Sequence, residues 1–424
     1  MSLLIQNGLV VDPATNKAQI QDILIEKSGI AKLAKNIKAD NKTIDATGKI
    51  ILPGLIDLHT HLRVPGREDE ETILSGSLAA VKGGFTTIMC MPNTNPVIDN
   101  ASVVDLIKKE NAKAGLIDII PVGAITKGQL GCEFSELAEL KEAGCLAISE
   151  DGKSVENTHL MRRALEYARM LGLLVISHCE DKNLSNSGLM HEDIVSTKLG
   201  LKGIPDIAET IIVGRDIELA RFTKAKLHLA HISTGRALEL IKRAKDDSVD
   251  VTAETCPHYI ALNDEAVSTF NTNTKINPPL RTEKDRQQIL KALQSGIIDC
   301  ISTDHAPHNQ AEKELEYNLA PFGTIGLETA LSVVITELLE NKLIDWLQLA
   351  KLMSLNPAKR LGLKDKGFIA EGLEANLVII DPQAEWLVKE GDFVSKSKNS
   401  VFIGKKLKGC VDYTISKGRI VFKR

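Results

Sequence analysis

The chain has 424 residues with 52 basic and 56 acidic side chains, so its formal charge is −4. This balance excludes a dedicated nucleic-acid or anionic-membrane binder, which would need a strong positive field, and the 15 aromatic residues are too few for a base-stacking surface. The length favours two or three domains, or one large α/β barrel with a small addition.

Cysteine usage indicates the compartment. The seven cysteines make an odd count without a C-x-x-C pair, in a chain large enough to be stable without disulfides. The first residues lack a basic leader, and the sequence has no run of 18 apolar residues. We therefore expect a cytoplasmic protein that does not contact membranes.

Short strands separated by turns occupy both ends of the chain. Residues 1–53 contain alternating apolar segments with Gly and Asp at the reversals, and residues 366–424 repeat this pattern. Because a small isolated sheet is marginally stable and chain termini tend to lie close together, the two ends are predicted to form one composite β-sandwich domain.

Residues 54–365 alternate apolar strands with helical stretches, the pattern of βαβ units and a parallel sheet. Eight such units in about 310 residues predict an α/β fold, a (β/α)8 TIM-type barrel. An open doubly wound sheet is the alternative, which is less favoured because no G-x-G-x-x-G follows the first strand. The predicted strands are LIDLHTH, TTIMCMPN, IDIIPVGAI, LAISEDG, LLVISHCED, KLHLAHIST, DVTAETCPH and DCISTDHAPH.

Polar residues follow nearly every predicted strand, at the rim where barrel enzymes place their active sites. The two-residue period of the first strand puts His59, His61 and Arg63 on one face. Two imidazoles on one face can bind a metal ion, although a single H-x-H pair is more often a hydrogen-bonded strand pair without metal.

The other strand ends add His178, His231, Asp304 and Asp151. Asp151 alone fits a turn residue before Gly152 equally well. Four histidines and two aspartates at one rim are nevertheless hard to explain as packing, and they supply the nitrogen and oxygen ligands that zinc prefers.

These residues lie in motifs that resemble the bacterial class I dihydroorotases of the amidohydrolase superfamily, over essentially the whole chain. The motifs are GLIDLHTHLRVPG (54–66), MPNTNPV (91–97), SEDG (149–152), SHCED (177–181), HLAHIST (228–234), ETCPHY (254–259), NPPLR (277–281) and STDHAPH (302–308).

The resemblance implies a centre of two Zn²⁺ ions bridged by Asp151. Many relatives use a carboxylated lysine as the bridge, whereas Lys153 here is interpreted as a solvated loop residue. The other ligands that the resemblance implies are His59, His61 and Asp304 for one ion and His178 and His231 for the second.

The resemblance does not assign the other five histidines as metal ligands or substrate-binding residues. His159 and His191 are interpreted as surface or helix residues. His228, His258 and His305 are candidates to support the metal ligands from behind.

The resemblance also implies the reaction: reversible cyclisation of N-carbamoyl-L-aspartate to (S)-dihydroorotate and water, the third step of pyrimidine biosynthesis. Asp304 would act as the catalytic base in hydrolysis and as the acid toward the departing nitrogen. The substrate-binding groups it implies are His61, Arg63, Asn93, Asn277, His308 and the backbone of Phe322 and Gly323.

Some of these residues have plainer interpretations. Arg63, expected to grip the substrate carboxylate, would pair with Asp57 or Glu68 if its role were structural. Asn93 and Asn277 precede turns, where Asn is common. Arg281 has no assigned role.

The charged segment 309–320 directly follows the last predicted strand. It is predicted to be a solvated helix rather than a lid, because no glycine hinge flanks its start.

Two other functions are weighed against a dihydroorotase. A related amidohydrolase acting on hydantoin, dihydropyrimidine or allantoin is disfavoured by Asp151 at the bridge and by Arg63. An inactive scaffold that assembles with aspartate transcarbamoylase would have lost metal ligands, and this chain keeps all six. We expect a homodimer, and an association with aspartate transcarbamoylase stays open.

Overall fold

A computed structural model gives the conformation of residues 2–38 and 42–424. The predicted N-terminal region 1–53 is therefore covered except for residue 1 and residues 39–41, which lie outside the described ranges.

Strands dominate both ends of the chain and alternate with helices between them. The strands are β1 (Ser2–Asp12), β2 (Lys17–Glu26), β3 (Gly29–Ala34), β4 (Lys42–Asp45), β5 (Ile50–Pro53), β6 (Leu55–Thr60), β7 (Phe85–Cys90), β8 (Asp118–Pro121), β9 (Gly123–Ala124), β10 (Ala147–Ser149), β11 (Leu174–Ser177), β12 (Met190–His191), β13 (Gly203–Ile204), β14 (Leu227–Leu229), β15 (Val251–Thr255), β16 (Cys300–Ile301), β17 (Leu377–Leu387), β18 (Lys406–Ser416) and β19 (Arg419–Lys423).

The α-helices are α1 (Ile73–Lys82), α2 (Ala101–Ala114), α3 (Leu137–Ala143), α4 (Thr158–Leu171), α5 (Lys182–Ser185), α6 (Ile194–Leu199), α7 (Ile207–Thr223), α8 (Gly235–Asp246), α9 (Pro257–Ala261), α10 (Glu283–Ser295), α11 (Gln310–Lys313), α12 (Ala330–Val334), α13 (Trp346–Ala350) and α14 (Asn356–Leu361). The π-helical turns Ile335–Leu339 and Lys351–Leu355 extend α12 and join α13 to α14.

One mixed sheet unites the two ends of the chain. Its strand order is β19-β18-β17-β5-β1-β2-β3, with β4 also pairing with β1. The junction is β5, which runs parallel to β1 on one side and antiparallel to β17 on the other. Ile23, Ile51, Leu377 and Ile415 are fully buried in its apolar cluster. The predicted pairing between the termini is thus present as a single sheet.

Parallel strands fill the middle of the chain. One sheet has the order β16-β15-β14-β11-β10-β9, and a second has the order β6-β7-β8. The sheets share the third predicted segment, which is divided at Val122 between β8 and β9. On the opposite side His61 donates its backbone N–H to the His305 carbonyl at 2.8 Å, which links the segment after β6 to the segment after β16. The carboxyl ends of these strands therefore lie at one rim.

Helix α4 shows how the sequence produces the outer layer. Its buried residues Leu160, Ala164 and Ala168 recur every four positions and so lie on one face. Asn157 caps the first turn through its side-chain oxygen, and Gly172 ends the helix at φ 68°, where only glycine is unstrained. The packed interior is aliphatic, as the low aromatic content requires.

Segment 309–320 differs from its prediction. Only residues 310–313 are helical, and the chain then turns with Lys313, Tyr317 and Ala320 buried. The prediction of a helix over the whole segment is wrong because the helix ends at Lys313, whereas the rest of the segment is at least partly exposed apart from these three side chains. No helix in the described ranges is long and apolar enough to cross a membrane.

Candidate active site

The first strand of the parallel set delivers two imidazoles to the rim. His59 lies within β6 and is fully buried, and His61 follows the strand at 5% exposure. Their ring centroids are 5.4 Å apart. The polar pair therefore reaches the same space, as the two-residue period predicts.

Asp151 lies at the centre of the site. Its Oδ1 is 3.2 Å from His59 Nε2 and 3.5 Å from both His178 Nδ1 and His231 Nε2. Its Oδ2 is 3.4 Å from His61 Nε2. One buried carboxylate thus faces four imidazoles that come from three different strands.

Asp304 completes the cluster from the segment after β16. Its Oδ1 lies 3.2 Å from His61 Nε2 and 3.6 Å from His59 Nε2. The backbone of Asp304 has φ 48° and that of His231 has φ 34°, both in the left-handed region that costs a non-glycine residue free energy. Such strain at two converging side chains is typical of a functional site.

The donor set fits a metal centre. His59, His61 and Asp151 form one group of three ligand atoms within 4.8 Å of one another, and Asp151, His178 and His231 form another. Among the described residues, His59 Nε2, Asp151 Oδ1 and His231 Nδ1 are buried without a hydrogen-bond partner. Buried polar atoms are rarely left in this state, so these atoms are those expected of ligands to a cation.

The charges of the cluster support each other. Burial opposes ionisation of Asp151, but the charge of His59 and the close approach of the His178, His231 and His59 imidazoles hold the pKa of its carboxyl well below the usual value. Burial likewise opposes protonation of His59, and the Asp151 and Asp304 charges outweigh it and raise the pKa of that imidazole. The site therefore favours a carboxylate at its centre.

A cavity of about 600 Å³ opens over this cluster. Its walls include the predicted substrate residues as well as metal-ligand candidates from both groups. The predicted residues that line it are His61, Arg63, Asn93, Asp151, His178, His231, Asn277, Asp304, His308, Phe322 and Gly323.

Arg63 lines this cavity, but it does not lie on the strand face of His59 and His61 on which it was predicted. Strand β6 ends at Thr60, and Arg63 has φ 62°, so it does not continue the alternation of the strand face. Its Nε lies 3.1 Å from Glu70 Oε2 and donates to the Pro307 carbonyl at 3.0 Å. The prediction that a structural Arg63 would pair with Asp57 or Glu68 is wrong. Asp57 instead accepts a hydrogen bond from Thr303, and Glu68 accepts one from the Gly66 N–H.

The other predicted substrate residues are held by their neighbours. His308 Nδ1 is 2.8 Å from Glu70 Oε1, so Glu70 contacts both His308 and Arg63. Asn277 donates to Glu180 at 2.9 Å, and Asn93 Oδ1 accepts from His61 Nδ1 at 2.8 Å.

The backbone N–H groups of Phe322 and Gly323 differ in whether they are hydrogen-bonded. The Gly323 N–H donates to the Lys275 carbonyl at 2.8 Å, whereas the Phe322 N–H has no partner in the described part of the chain. Gly323 has φ 139°, and a Cβ there would lie 2.9 Å from the Ala306 Cβ. The close approach requires glycine, and Phe322 offers the unused donor.

Two family models match parts of this chain. A dihydro-orotase-like family model matches residues 48–237, and an amidohydrolase family model matches residues 287–422. A dihydroorotase from Caldicellulosiruptor saccharolyticus is 50% identical, covering 99% of this chain and 98% of that protein. One from Pelotomaculum thermopropionicum is also 50% identical, covering 100% and 99%.

The chain belongs to the dihydroorotase family. Solved structures of other amidohydrolases share its α/β fold. Dihydropyrimidinase from Brevibacillus agri superposes with a TM-score of 0.88 at 25% identity, over 100% of this chain and 95% of that one. L-Hydantoinase from Arthrobacter aurescens gives 0.88 at 23% identity, over 99% and 96%.

Three glutamates at the site of this dihydroorotase-family chain were missed by sequence reasoning. Glu254 Oε1 accepts from His59 Nδ1 at 2.9 Å, and Glu180 Oε2 lies 2.8 Å from His178 Nε2. Glu70 is 1% exposed beneath Arg63. The available signal for Glu254 was an acidic residue inside the apolar strand VTAET, and for Glu180 its position two residues after His178.

The remaining histidines divide between support and structure. His228 Nε2 is 3.1 Å from Glu254 Oε2, and His305 Nε2 is 3.2 Å from Glu71 Oε2. His258 is buried, with its Nε2 unpartnered among the described atoms. His159 is exposed at the start of α4, as predicted.

The prediction for His191 is wrong. It lies in β12, is 5% exposed, and accepts from the guanidinium of Arg281 at 3.1 Å. Burial first, and the Arg281 charge second, lower its pKa to about 4. Arg281 also donates to Ser233 and to the Ile204 carbonyl, so its role is to join these segments.

Proposed function

We propose that the chain is a zinc-dependent dihydroorotase that interconverts N-carbamoyl-L-aspartate with (S)-dihydroorotate and water. The observation that carries the proposal is the position of Asp151, whose two carboxylate oxygens face four imidazoles beneath a cavity lined by Arg63 and His308. The family relationship supplies the reaction class.

Six side chains would hold two zinc ions. Asp151 would bridge them because it belongs to both groups of ligand atoms. When bound, two zinc ions polarise a carbonyl oxygen and lower the pKa of a water molecule. The remaining ligands would be His59, His61 and Asp304 for one ion and His178 and His231 for the other.

Asp304 would move the proton. Burial opposes ionisation of Asp304, but the His59 charge, the His61 hydrogen bond and the His61 charge lower the pKa of its carboxyl, so it is available as a base. In hydrolysis it takes a proton from the attacking water as the water oxygen bonds to the ring carbonyl carbon. It then gives that proton to the ring nitrogen as the carbon–nitrogen bond breaks, and ring closure reverses both transfers.

The other end of the cavity would select the substrate by charge. Dihydroorotate differs from dihydrouracil by one carboxylate, and the planar guanidinium of Arg63 suits that group. His308, Asn93 and the free Phe322 N–H would add donors around it, and Asn277 would contact the ring. Glu70 would hold Arg63 and His308 in place.

We also propose a domain arrangement for this function. Residues 54–365 form a closed (β/α)8 barrel that carries the site, and residues 1–53 and 366–424 form one β-sandwich beside it. A homodimer and a complex with aspartate transcarbamoylase remain predictions, which sedimentation of the chain alone and with that enzyme would test.

A substrate panel on the zinc-loaded chain tests the proposal. Dihydroorotate should be hydrolysed, with dihydrouracil and hydantoin very poor substrates, and the protein should contain about two zinc ions by elemental analysis. Preference for hydantoin or dihydrouracil would instead identify a dihydropyrimidinase-type enzyme. Absence of turnover with all three, on a folded zinc-loaded protein, would favour a scaffold.

A further inference from the structure

Two buried lysines lie behind one wall of the cavity. Lys275 is 3% exposed and Lys313 is 7% exposed, yet within residues 2–38 and 42–424 neither forms an ion pair with a carboxylate. Burying an ammonium group without an opposite charge is costly. The arrangement therefore needs a reason beyond packing.

Both lysines bind the same short loop. Lys275 Nζ donates to the carbonyls of Asn318 at 3.1 Å and Ala320 at 2.7 Å. Lys313 Nζ donates to the carbonyls of Pro321 at 2.9 Å and Gly323 at 3.0 Å. Four carbonyls within residues 318–323, here called the lysine-bound loop, thus face the two amino groups.

The lysine-bound loop connects the lysines to the cavity. Lys275 Nζ lies 4.8 Å from the centre of the Phe322 ring, and the Lys275 carbonyl accepts the Gly323 N–H. The Phe322 carbonyl is 2.7 Å from His308 Nε2. Movement of either lysine would therefore displace the free Phe322 N–H and the partner of His308.

The charge of the two lysines would also affect which ligands bind in the cavity. Burial first, and Lys275 second, lower the pKa of Lys313 to about 7. A negative group in the neighbouring cavity would favour the protonated amine, since opposite charges attract across a poorly solvated wall. A neutral ligand would gain nothing from it.

We propose that Lys275 and Lys313 are positioning residues, which fix the lysine-bound loop against the cavity and make this wall selective for a ligand that carries a carboxylate. This inference rests on the proposed function and extends it to a charge-selecting device that does not touch the substrate. It predicts an effect on affinity for anionic ligands rather than on the chemical step.

Three substitutions on the zinc-loaded full-length chain test it. Lys313→Met removes both the charge and the donors at similar volume, and Lys313→Gln keeps an amide N–H2 for the two carbonyls but removes the charge. Lys366→Met is the matched control, because Lys366 is another mostly buried lysine, paired with Asp118 at 2.8 Å and outside the cavity.

The readouts are kcat and KM for dihydroorotate and the inhibition constants of orotate and uracil, the same ring with and without a carboxylate. Lys313→Met should raise both the KM for dihydroorotate and the inhibition constant of orotate about tenfold or more. Its kcat should stay within about threefold of wild type, and its inhibition constant for uracil within about twofold. Lys313→Gln should also weaken orotate, and Lys366→Met should change none of these values.

Three results would overturn the inference. An unchanged KM and orotate constant in Lys313→Met would show that the lysine does not act on the cavity. Equal weakening of orotate and uracil, or full recovery of orotate binding by Lys313→Gln, would show that the charge is not selective. A wild-type chain that does not turn over dihydroorotate, yet binds orotate lysine-dependently, would overturn the proposed function alone.

Discussion

Glu254 accepts a hydrogen bond from His59 Nδ1 at 2.9 Å, and neither side chain is exposed to solvent. This bond fixes the ring so that Nε2 faces Asp151 and Asp304. The second oxygen of Glu254 lies 3.1 Å from His228 Nε2 and accepts from the Ser302 hydroxyl. One carboxylate thus orients a ligand candidate from outside the site.

Glu254→Gln is therefore expected to weaken zinc binding about 10- to 100-fold, because an amide has one acceptor oxygen and turns an N–H2 group toward one of the two histidines. Competition with a chelator, followed by elemental analysis, measures this directly. Glu328→Gln is the control, since Glu328 is a buried carboxylate that binds the Val394 and Ser395 N–H groups. Equal zinc retention by both variants would contradict the orienting role.

Asp151→Ala should lower the zinc content from about two ions to about one per chain. The ion between His178 and His231 would be lost first, since it would keep only two protein ligands. Elemental analysis of the variant, purified beside wild type with zinc in excess, gives the count. A variant that retains two ions and full activity would remove Asp151 from the bridging position.

Asp304→Asn should keep much of its metal but lose about 10²- to 10⁴-fold in the rate of hydrolysis, because an amide can ligate but cannot accept the proton. The wild-type hydrolysis rate should rise with pH through the neutral range while ring closure is favoured toward acid, since hydrolysis also needs a deprotonated zinc-activated water, whereas the lowered pKa of Asp304 keeps its carboxylate ionised throughout. Initial rates in both directions across the pH range test this. A flat hydrolysis profile would count against a zinc-activated water as the nucleophile, and an Asn variant near wild-type activity would count against Asp304 as the general base.

Arg63→Met should lower kcat/KM for dihydroorotate by roughly two to four orders of magnitude, because removing one partner of a desolvated charge pair costs about 3–5 kcal/mol. Arg63→Lys should also be damaging, since an ammonium group cannot form two parallel hydrogen bonds. Residual turnover of dihydrouracil should change far less.

The contact between Arg63 and Glu70 provides the control for this prediction. If Arg63 serves only to pair with Glu70, Arg63→Met and Glu70→Gln should lower the melting temperature and reduce turnover of both substrates alike. Circular dichroism and zinc analysis of each variant would establish that the rates refer to folded, loaded protein.

Lys313 predicts a pH dependence of stability. Its pKa falls from the usual 10.5 to about 7 in the folded chain, so the unfolded chain binds more protons between these values and the free energy of unfolding rises with pH there. Relative to that of Lys313→Met, the free energy of unfolding of the wild type should increase by about 2–3 kcal/mol between pH 7 and pH 9. Urea unfolding of both proteins at the two pH values measures the difference, and a constant difference would contradict a buried ammonium.

The parallel strands and the convergence of the candidate ligand side chains at one rim could be predicted because each is encoded locally. An apolar segment followed by His or Asp predicts both a strand and its polar end, as at Ser177-His178 and Thr303-Asp304. Parallel strands then bring these ends together without further information.

The partners of these residues could not be predicted because they are distant in sequence. Glu254 meets His59 across 195 positions, and Glu70 meets His308 across 238. The period of β6 also fails to place Arg63, since the strand ends at Thr60 and the chain enters a left-handed turn. Lys313 lies in segment 309–320, which is predicted to be solvated, yet its side chain is buried by residues that follow it in the fold.

The position of β5 between β1 and β17 affects how the chain can be made. Translation delivers β17 roughly 320 residues after β5, on the order of 20 to 60 seconds later at usual elongation rates. During that interval the nascent chain presents an unpaired, apolar strand edge at β5, the kind of edge that promotes aggregation. Synthesis of the last 50 residues therefore closes the sheet, and chains truncated before β17 should be insoluble even when the parallel strands are complete.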